Sequence, residues 1–409
     1  MLDEEAGMDA RSRALLMHKL NADVTRRRFL QGAAGLAAVT VIGGAGAASA
    51  ATKRPTGRTP RNAQAGEEIG GPLNFLGYEG EEAPNVSKAF LEENGILMQP
   101  SYIGAADDAL TKFQTGGRGQ MDLMASNKDF QRGVLDAGIE FMAPLDMTRI
   151  PNAAGLWPAF KVAPWVVRDG VQYTVPLIWG DEPCIYDPAT WPDGPPAKYT
   201  DFSDPKWAGE LVWLDDPYTN IWLYGKSLGF EDPSRITQAQ LDEVVQAMLA
   251  SKPNVVAYGA SLGDMVDIMV RGEASMGIGG WAGQLAIAKE KGKDFAVASP
   301  ATDGTFYWSD AYAMALDAPN PANVYAFIDF MMGAEPNAQI AAELGSGCTT
   351  EPAWDLLDPD QQELFPYDIV RAEDGGVLYS QQVLPPQNPD GDIVGTAAWT
   401  DAWQVFKLS

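Results

Sequence analysis

Leu73-Asn74-Phe75-Leu76-Gly77-Tyr78 is a short apolar run that ends in Gly-Tyr, and the pattern behind it decides the fold class. Residues 86–93 have helical spacing and are closed by Asn94-Gly95, a C-cap pair. Residues 96–102 return as a strand. Residues 107–114 read as a second helix, stopped by Thr115-Gly116-Gly117. A third strand, 121–126, runs into Asn127-Lys128-Asp129, and a helix over 130–137 ends at Gly138. Short apolar strands alternating with short helices are β-α-β units, so the class is α/β with a largely parallel sheet. In such sheets ligands lie beyond the carboxyl ends of the strands. Gly77-Tyr78-Glu79 and Ser126-Asn127-Lys128 therefore share one rim.

Further along, residues 171–179 (VQYTVPLIW) read as one strong strand. Gly180-Asp181-Glu182-Pro183 breaks the run before Cys184-Ile185-Tyr186, as a chain leaving one lobe and entering another would. A turn-rich approach, FSDPKWAG, delivers the buried strand Leu211-Val212-Trp213-Leu214 and then Asp215-Asp216. A helix over 218–228 follows, so one carboxylate of that pair is first of all an N-cap. Residues 238–250 place Leu241, Val244, Val245, Met248 and Leu249 at helical spacing, a packing face. A helix over 264–271 leads through Gly272-Glu273 into 274–281. Residues 295–299 form a strand, Thr302-Asp303-Gly304 a tight turn, 321–332 and 336–344 two helices, and Gly345-Ser346-Gly347-Cys348 a loop.

Between that turn and those helices lies Phe306-Tyr307-Trp308-Ser309-Asp310. In an extended strand, side chains two apart share a face, so Trp308 and Asp310 look into the same space. An indole wall beside a fixed anion suits an organic ammonium, through cation–π attraction and a charge-assisted hydrogen bond. Other strand ends deliver Tyr78, Asp216 and Trp281, with Ser126 as a small donor. No catalytic triad, glycine-rich phosphate loop or clustered metal ligands accompany them. An aromatic box with acids and no nucleophile reads as a binding site for an organic cation.

The N-terminus and composition narrow the setting. Arg26-Arg27-Arg28 precedes an uncharged Gly- and Ala-rich run, and Ala48-Ser49-Ala50 offers small residues for cleavage. This is the form of a removable export signal, 1–50, and the paired arginines point to the twin-arginine route. Residues 51–70 read as a flexible linker. The first 50 residues hold six Lys/Arg and five Asp/Glu, so the chain after them carries 23 basic and 50 acidic residues. That charge argues against nucleic acid and anionic membrane surfaces and biases the surface field toward cationic solutes. The single histidine, His18, lies in the leader, which removes His-based triads and His-containing zinc sites from the rest of the chain. Cys184 and Cys348 either pair in an oxidising compartment or sit as two buried thiols; a disulfide is the favoured expectation. The length after the leader, about 360 residues, exceeds what one core usually serves, so two lobes are expected.

The order of these segments resembles the periplasmic solute-binding proteins of ABC transporters, most closely their spermidine/putrescine-binding branch. The resemblance covers roughly residues 72–352 and rests on NFLGYEGEEAP, MDLMASNKDF, VPLIWGDEP, DPKWAGELVWLDD, GEASMGIGGWAG and FYWSDAYAM. It implies a two-lobed clamp, each lobe a mostly parallel sheet flanked by helices, joined by crossover strands and closing by a hinge motion. The implied division is 71–181 with 305–354 as one lobe and 182–304 with 355–409 as the other. The implied role is capture of a small cationic amine by a periplasmic monomer that is not membrane-inserted and docks on an inner-membrane permease, with no cofactor and no catalysis. Carried over by position, Tyr78 is an aromatic wall, Ser126 a cleft serine and Asp216 the acid for a terminal ammonium. Trp308 and Asp310 hold the middle of the ligand.

Several positions depart from that pattern. Glu81 and Lys128 stand where the family often has tyrosines, and Thr219 where it has a second acid for the terminal amine. Trp281 takes the place of a tryptophan expected near Gly280, and a loop tyrosine is replaced near Ser346. Lys128 would repel a polyamine unless it turns away or pairs with Glu81 or Asp129. Thiamine or a zwitterion whose carboxylate meets Lys128 is the alternative ligand, and a hydrolase using Asp215 and Asp216 the distant alternative.

Overall fold

A computed structural model describes residues 68–103, 106–372 and 383–409. The proposed leader with its arginine pair, and residues 51–67 of the linker, lie outside the described residues.

The strands, in chain order, are β1 (Gly71–Gly77), β2 (Ile96–Tyr102), β3 (Leu123–Asn127), β4 (Val167–Arg168), β5 (Val171–Gln172), β6 (Thr174–Asp181) and β7 (Cys184–Tyr186). They continue with β8 (Leu211–Leu214), β9 (Val255–Gly259), β10 (Met276–Ile278), β11 (Ala296–Ala298), β12 (Tyr307–Met314) and β13 (Gly347–Cys348). Six form one sheet in the order β13-β6-β12-β3-β1-β2, and five form another in the order β11-β7-β10-β8-β9. The first sheet has one large core, with Leu73, Phe75, Leu123, Trp165, Val175 and Tyr312 buried in it. The second sheet is covered on both sides by separate clusters, one around Trp213 and Trp222, the other around Val212 and Met265. The alternation along Leu211-Val212-Trp213 sends neighbouring side chains to opposite faces, as the period of two in a strand requires.

Three features differ from the sequence expectation. The run 171–179 is not one strand. Asp169 (φ 51°) and Gly170 (φ 75°) turn a small hairpin in which β4 pairs with β5. The chain then bends at Tyr173, and β6 starts at Thr174, whose hydroxyl donates to the Trp165 carbonyl at 2.9 Å. The sheets are mixed rather than simply parallel. β1 pairs in parallel with β2 and β3, and β8 with β9 and β10. However, β12 is antiparallel to both β3 and β6, and β7 is antiparallel to β10 and β11. Finally, Gly347-Cys348 is not a loop but an edge strand against β6.

Between consecutive strands, the chain passes from one sheet to the other at two adjacent places, from β6 to β7 and from β11 to β12. These crossings are tied together: the Glu182 amide donates to the Phe306 carbonyl at 3.3 Å, and the Thr305 hydroxyl donates to the Glu182 carbonyl. Residues 355–409, assigned from sequence to the second lobe as a whole, divide between the cores. Leu357, Phe365, Tyr367 and Val370 pack with the first, and Val383, Trp399, Trp403 and Phe406 with the second.

The expected disulfide is absent, because its two cysteines are buried in different cores. Cys184 lies in the second, Cys348 in the first, and both are free thiols. Cys348 Sγ instead accepts from the Tyr367 hydroxyl at 3.5 Å, and burial pushes that thiol up to about 11. Burial also raises the Cys184 thiol, so neither has thiolate character near neutrality.

Candidate functional site

A cavity of about 580 Å³ lies between the two sheets and is lined by residues of both. Its first wall is the turn after β1. Gly80 (φ 99°) lets this turn fold tightly, and the Tyr78 amide donates back to Glu81 Oε2 at 3.2 Å. Glu81 is thereby held into the cavity beside Tyr78 and Glu79. Its neighbour Glu82 faces elsewhere, accepting from the Tyr102 hydroxyl at 2.6 Å and the Gly80 amide at 2.8 Å.

The second wall is the start of β12. Because β12 is antiparallel to β3, its first residues reach the rim where β1 and β3 end, and Asp310 sits opposite Asn127 in the ladder. Trp308 and Asp310 both face the cavity, while Ser309 between them points away and donates to the Ile178 carbonyl at 2.9 Å. The Trp308 indole lies flat over Gly180: a Cβ there would be 2.6 Å from Cζ2. Only glycine permits that approach. The Asp310 carboxyl meets Glu81 and Asn127, and its Oδ1 is buried with no hydrogen-bond partner among the described residues.

The opposite wall comes from the second sheet. Asp216 caps the helix Pro217–Ser227, its Oδ2 accepting from the Thr219 amide at 2.7 Å. Asp215 does a different job. Its Oδ1 accepts from Trp403 Nε1 at 2.8 Å and Lys407 Nζ at 2.7 Å, tethering the C-terminal helix Thr396–Leu408. The acid that caps is thus the one that reaches the cavity. Trp281 follows β10 and is wedged against Gly283, where a Cβ would be 2.4 Å from the ring. Ser346 and Leu344 border the same side, and Ser346 Oγ donates to the Leu344 carbonyl at 3.0 Å.

Of the ten residues expected at the site, eight line this one cavity: Tyr78, Glu81, Asp216, Thr219, Trp281, Trp308, Asp310 and Ser346. Ser126 and Lys128 are set behind it. Ser126 Oγ is buried and accepts from Gln131 Nε2 at 3.2 Å. Lys128 is 2% exposed, with Nζ at 2.9 Å from Asp129 Oδ1 and 5.6 Å from the Trp165 ring centroid. Of the two escapes the sequence offered Lys128, pairing with Asp129 is the one observed. The lining also includes Glu79, which the sequence placed on the rim, and Asp129, which it named only as a partner for Lys128; sequence reasoning gave no site role to Glu182, Phe306 or Tyr218. Val383, Leu384 and Thr396 of the C-terminal stretch also line the cavity.

Among the described residues, six carboxyl groups therefore border the cavity, and no lysine or arginine does. Four of them are raised, each chiefly by burial. Burial, reinforced by Asp310, raises Glu81 well above the usual carboxyl range. Burial pushes Asp310 up to about 6. Burial and then the nearby Asp216 push Glu182 up to about 8. Asp216 is raised by burial despite the Thr219 N–H, which acts the other way. Desolvated carboxylates without a counter-charge hold protons; a cationic guest would reverse that.

Aromatic rings and carboxyls face each other across a gap between two joined sheets, an arrangement suited to holding a solute. Residues 85–359 match the family described as bacterial extracellular solute-binding protein, and the chain belongs to it. Its role is solute binding for transport. Among curated relatives, the spermidine/putrescine-binding periplasmic protein of Escherichia coli is 23% identical over 292 residues, 70% of this chain and 80% of that one. The putrescine/agmatine-binding protein of Pseudomonas aeruginosa is 23% identical over 324 residues, 74% of this chain and 84% of that one. In fold, the chain is similar to the spermidine/putrescine ABC transporter substrate-binding protein PotD of Streptococcus pneumoniae. The TM-score is 0.67 at 22% identity, covering 82% of this chain and 98% of that one. Among the described residues no helix is long and apolar enough to cross a membrane.

Proposed function

We propose that this chain captures a small organic cation of the polyamine type between its lobes and delivers it to an ABC permease. The observation that carries this reading is the lining itself: among the described residues, six carboxyl groups, five aromatic rings and no basic side chain. Tyr78, Trp281 and Trp308 serve as walls, and Glu81, Asp216 and Asp310 as charge partners, with Thr219 and Ser346 at the margin. A cation–π contact in a desolvated site is worth about 2 kcal/mol, and a hydrogen bond to a charged group about 1.5–3 kcal/mol. Two of each supply about 7–10 kcal/mol before the cost of association is subtracted.

Lys128 weighs against a zwitterionic guest, because its ammonium is engaged by Asp129 behind the wall and is not offered to a ligand carboxylate. An aromatic cation such as thiamine remains the second reading, favoured by the indoles alone. The working division assigns 71–181 and 305–354 to one lobe and 182–304 with the C-terminal helix to the other. Export through the twin-arginine route is read from Arg26-Arg27, and the protein acts as a monomer in the periplasm.

Calorimetry with putrescine, spermidine, agmatine, thiamine and a neutral sugar tests the reading. Amines should bind at micromolar concentration or below and the sugar should not. No amine binding below millimolar would overturn it.

A further inference from the structure

The carboxylate on the crossover between the sheets, Glu182, has a geometry that its place in the chain does not require. Its backbone is fixed: the amide donates to the Phe306 carbonyl and the carbonyl accepts from the Thr305 hydroxyl, so two crossings are locked side by side. That clamp uses only main-chain atoms of Glu182, and any residue but proline would satisfy it. The side chain instead extends into the cavity, where Oε2 accepts from Thr219 Oγ1 at 3.1 Å. Thr219 also donates its amide to Asp216 Oδ2 at 2.7 Å. One threonine on the first turn of a helix thus gathers two carboxyl groups from different elements. No lysine or arginine forms an ion pair with either among the described residues, and none lines the cavity.

We propose that Glu182 and Asp216 together form a seat for an alkylammonium group, with the crossover strand supplying one of its two carboxylates. This rests on the cation reading above and deepens it by naming a contact that the sequence did not single out. The chemistry fits: an ammonium brings three donors and a full positive charge, and two half-buried carboxylates, one held by the Thr219 hydroxyl and the other by its amide, lack a counter-charge among the described residues. The groups near Glu182 are Asp181 beside it in the chain, Asp216 at the helix cap and Tyr199, with the Thr219 hydroxyl. None is cationic. Since burial and Asp216 hold Glu182 up to about 8, its carboxyl keeps a proton at neutral pH, and an arriving ammonium expels it.

Glu182→Gln tests this with putrescine as probe. Glutamine keeps the size and an acceptor for Thr219 but removes the charge. Calorimetry in two buffers of different ionisation enthalpy should show at least a tenfold loss of affinity and a smaller proton release than wild type. The ligand-free melting temperature at pH 8 should stay level or rise, because a desolvated carboxylate has been removed; a merely structural role predicts a fall. Glu182→Asp keeps the charge but shortens the reach, and decides the matter if the glutamine variant does not fold: a tenfold loss supports the seat, and an unchanged constant overturns it. Affinity within twofold of wild type and unchanged proton release in Glu182→Gln would overturn the assignment while leaving the cation reading intact. Wild-type protein that binds no amine would overturn both.

Discussion

The two ends of the cavity hold carboxylates by different means. At the first-sheet end, Glu81 and Asp310 face each other from a turn and a strand, and their contact is carboxyl to carboxyl. At the second-sheet end, Asp216 is held by a helix N-terminus, and Glu182 by the hydroxyl of that same first turn. Backbone N–H groups and the helix dipole favour the charged form of Asp216. At Asp310 only the Glu81 and Asn127 side chains act in that direction, and its Oδ1 is buried without a hydrogen-bond partner among the described residues. The first end is therefore poised by like-charge crowding, the second by preorganised donors. A dication spanning both would gain more from neutralising the first and more from defined geometry at the second.

The largest expected effect falls behind the first end. Lys128→Met leaves Asp129 buried without its cation, and should lower stability by about 3 kcal/mol, read by urea unfolding. If stability holds, the pair is not what keeps Lys128 from the cavity. Next, Asp310→Ala should weaken amine binding at least tenfold, about 1.4 kcal/mol, with little loss of ligand-free stability. Asp216→Ala should weaken binding and also cost about 1 kcal/mol of stability, since a helix cap goes with the ligand contact. If both variants melt like wild type, the proposed contrast between the ends is lost.

The pH dependence separates the ends further. Asp310 at about 6, Asp181 at about 7 and Glu182 at about 8 all lie above the unfolded carboxyl value near 4. The folded, ligand-free protein holds these protons more tightly than the unfolded chain. Their stabilisation is complete below pH ~4 and is lost as the pH rises through the folded values toward 8. A cation favours the charged forms, so affinity should rise across the same window, first with Asp310 and later with Glu182. Thermal shifts with and without putrescine from pH 5 to 8 would show the ligand-induced shift growing; a flat profile would contradict the electrostatics. The smallest effect belongs to Asp215→Asn, which loosens one partly exposed tether of the C-terminal helix by about 0.5 kcal/mol and leaves amine affinity unchanged.

Much of the cavity lining could be read from the chain alone. The pairing of Trp308 with Asp310 on one face follows from a period of two. The placement of Tyr78 and Asp216 at strand ends follows from β-α-β order. What escaped was the direction of β12. Antiparallel pairing brings the beginning of that strand, rather than its end, to the rim, and an isolated apolar run does not declare its direction. Glu182 escaped because Gly-Asp-Glu-Pro reads as a break in a strand, and nothing local reveals that Thr219, 37 residues on, waits beneath its side chain. The break within 171–179 was legible in retrospect from Asp169-Gly170, which is the turn of the hairpin.

By itself, then, the sequence determined the alternation of elements, the acidic bias and the residue types that meet an organic cation, since these depend on neighbours a few positions apart. Tertiary structure alone decided which acids share the cavity, that Lys128 turns to Asp129, and that Cys184 and Cys348 stay in separate cores. Those outcomes depend on sheet register and crossover geometry, which bring together residues tens to hundreds of positions apart and leave no periodic trace along the chain.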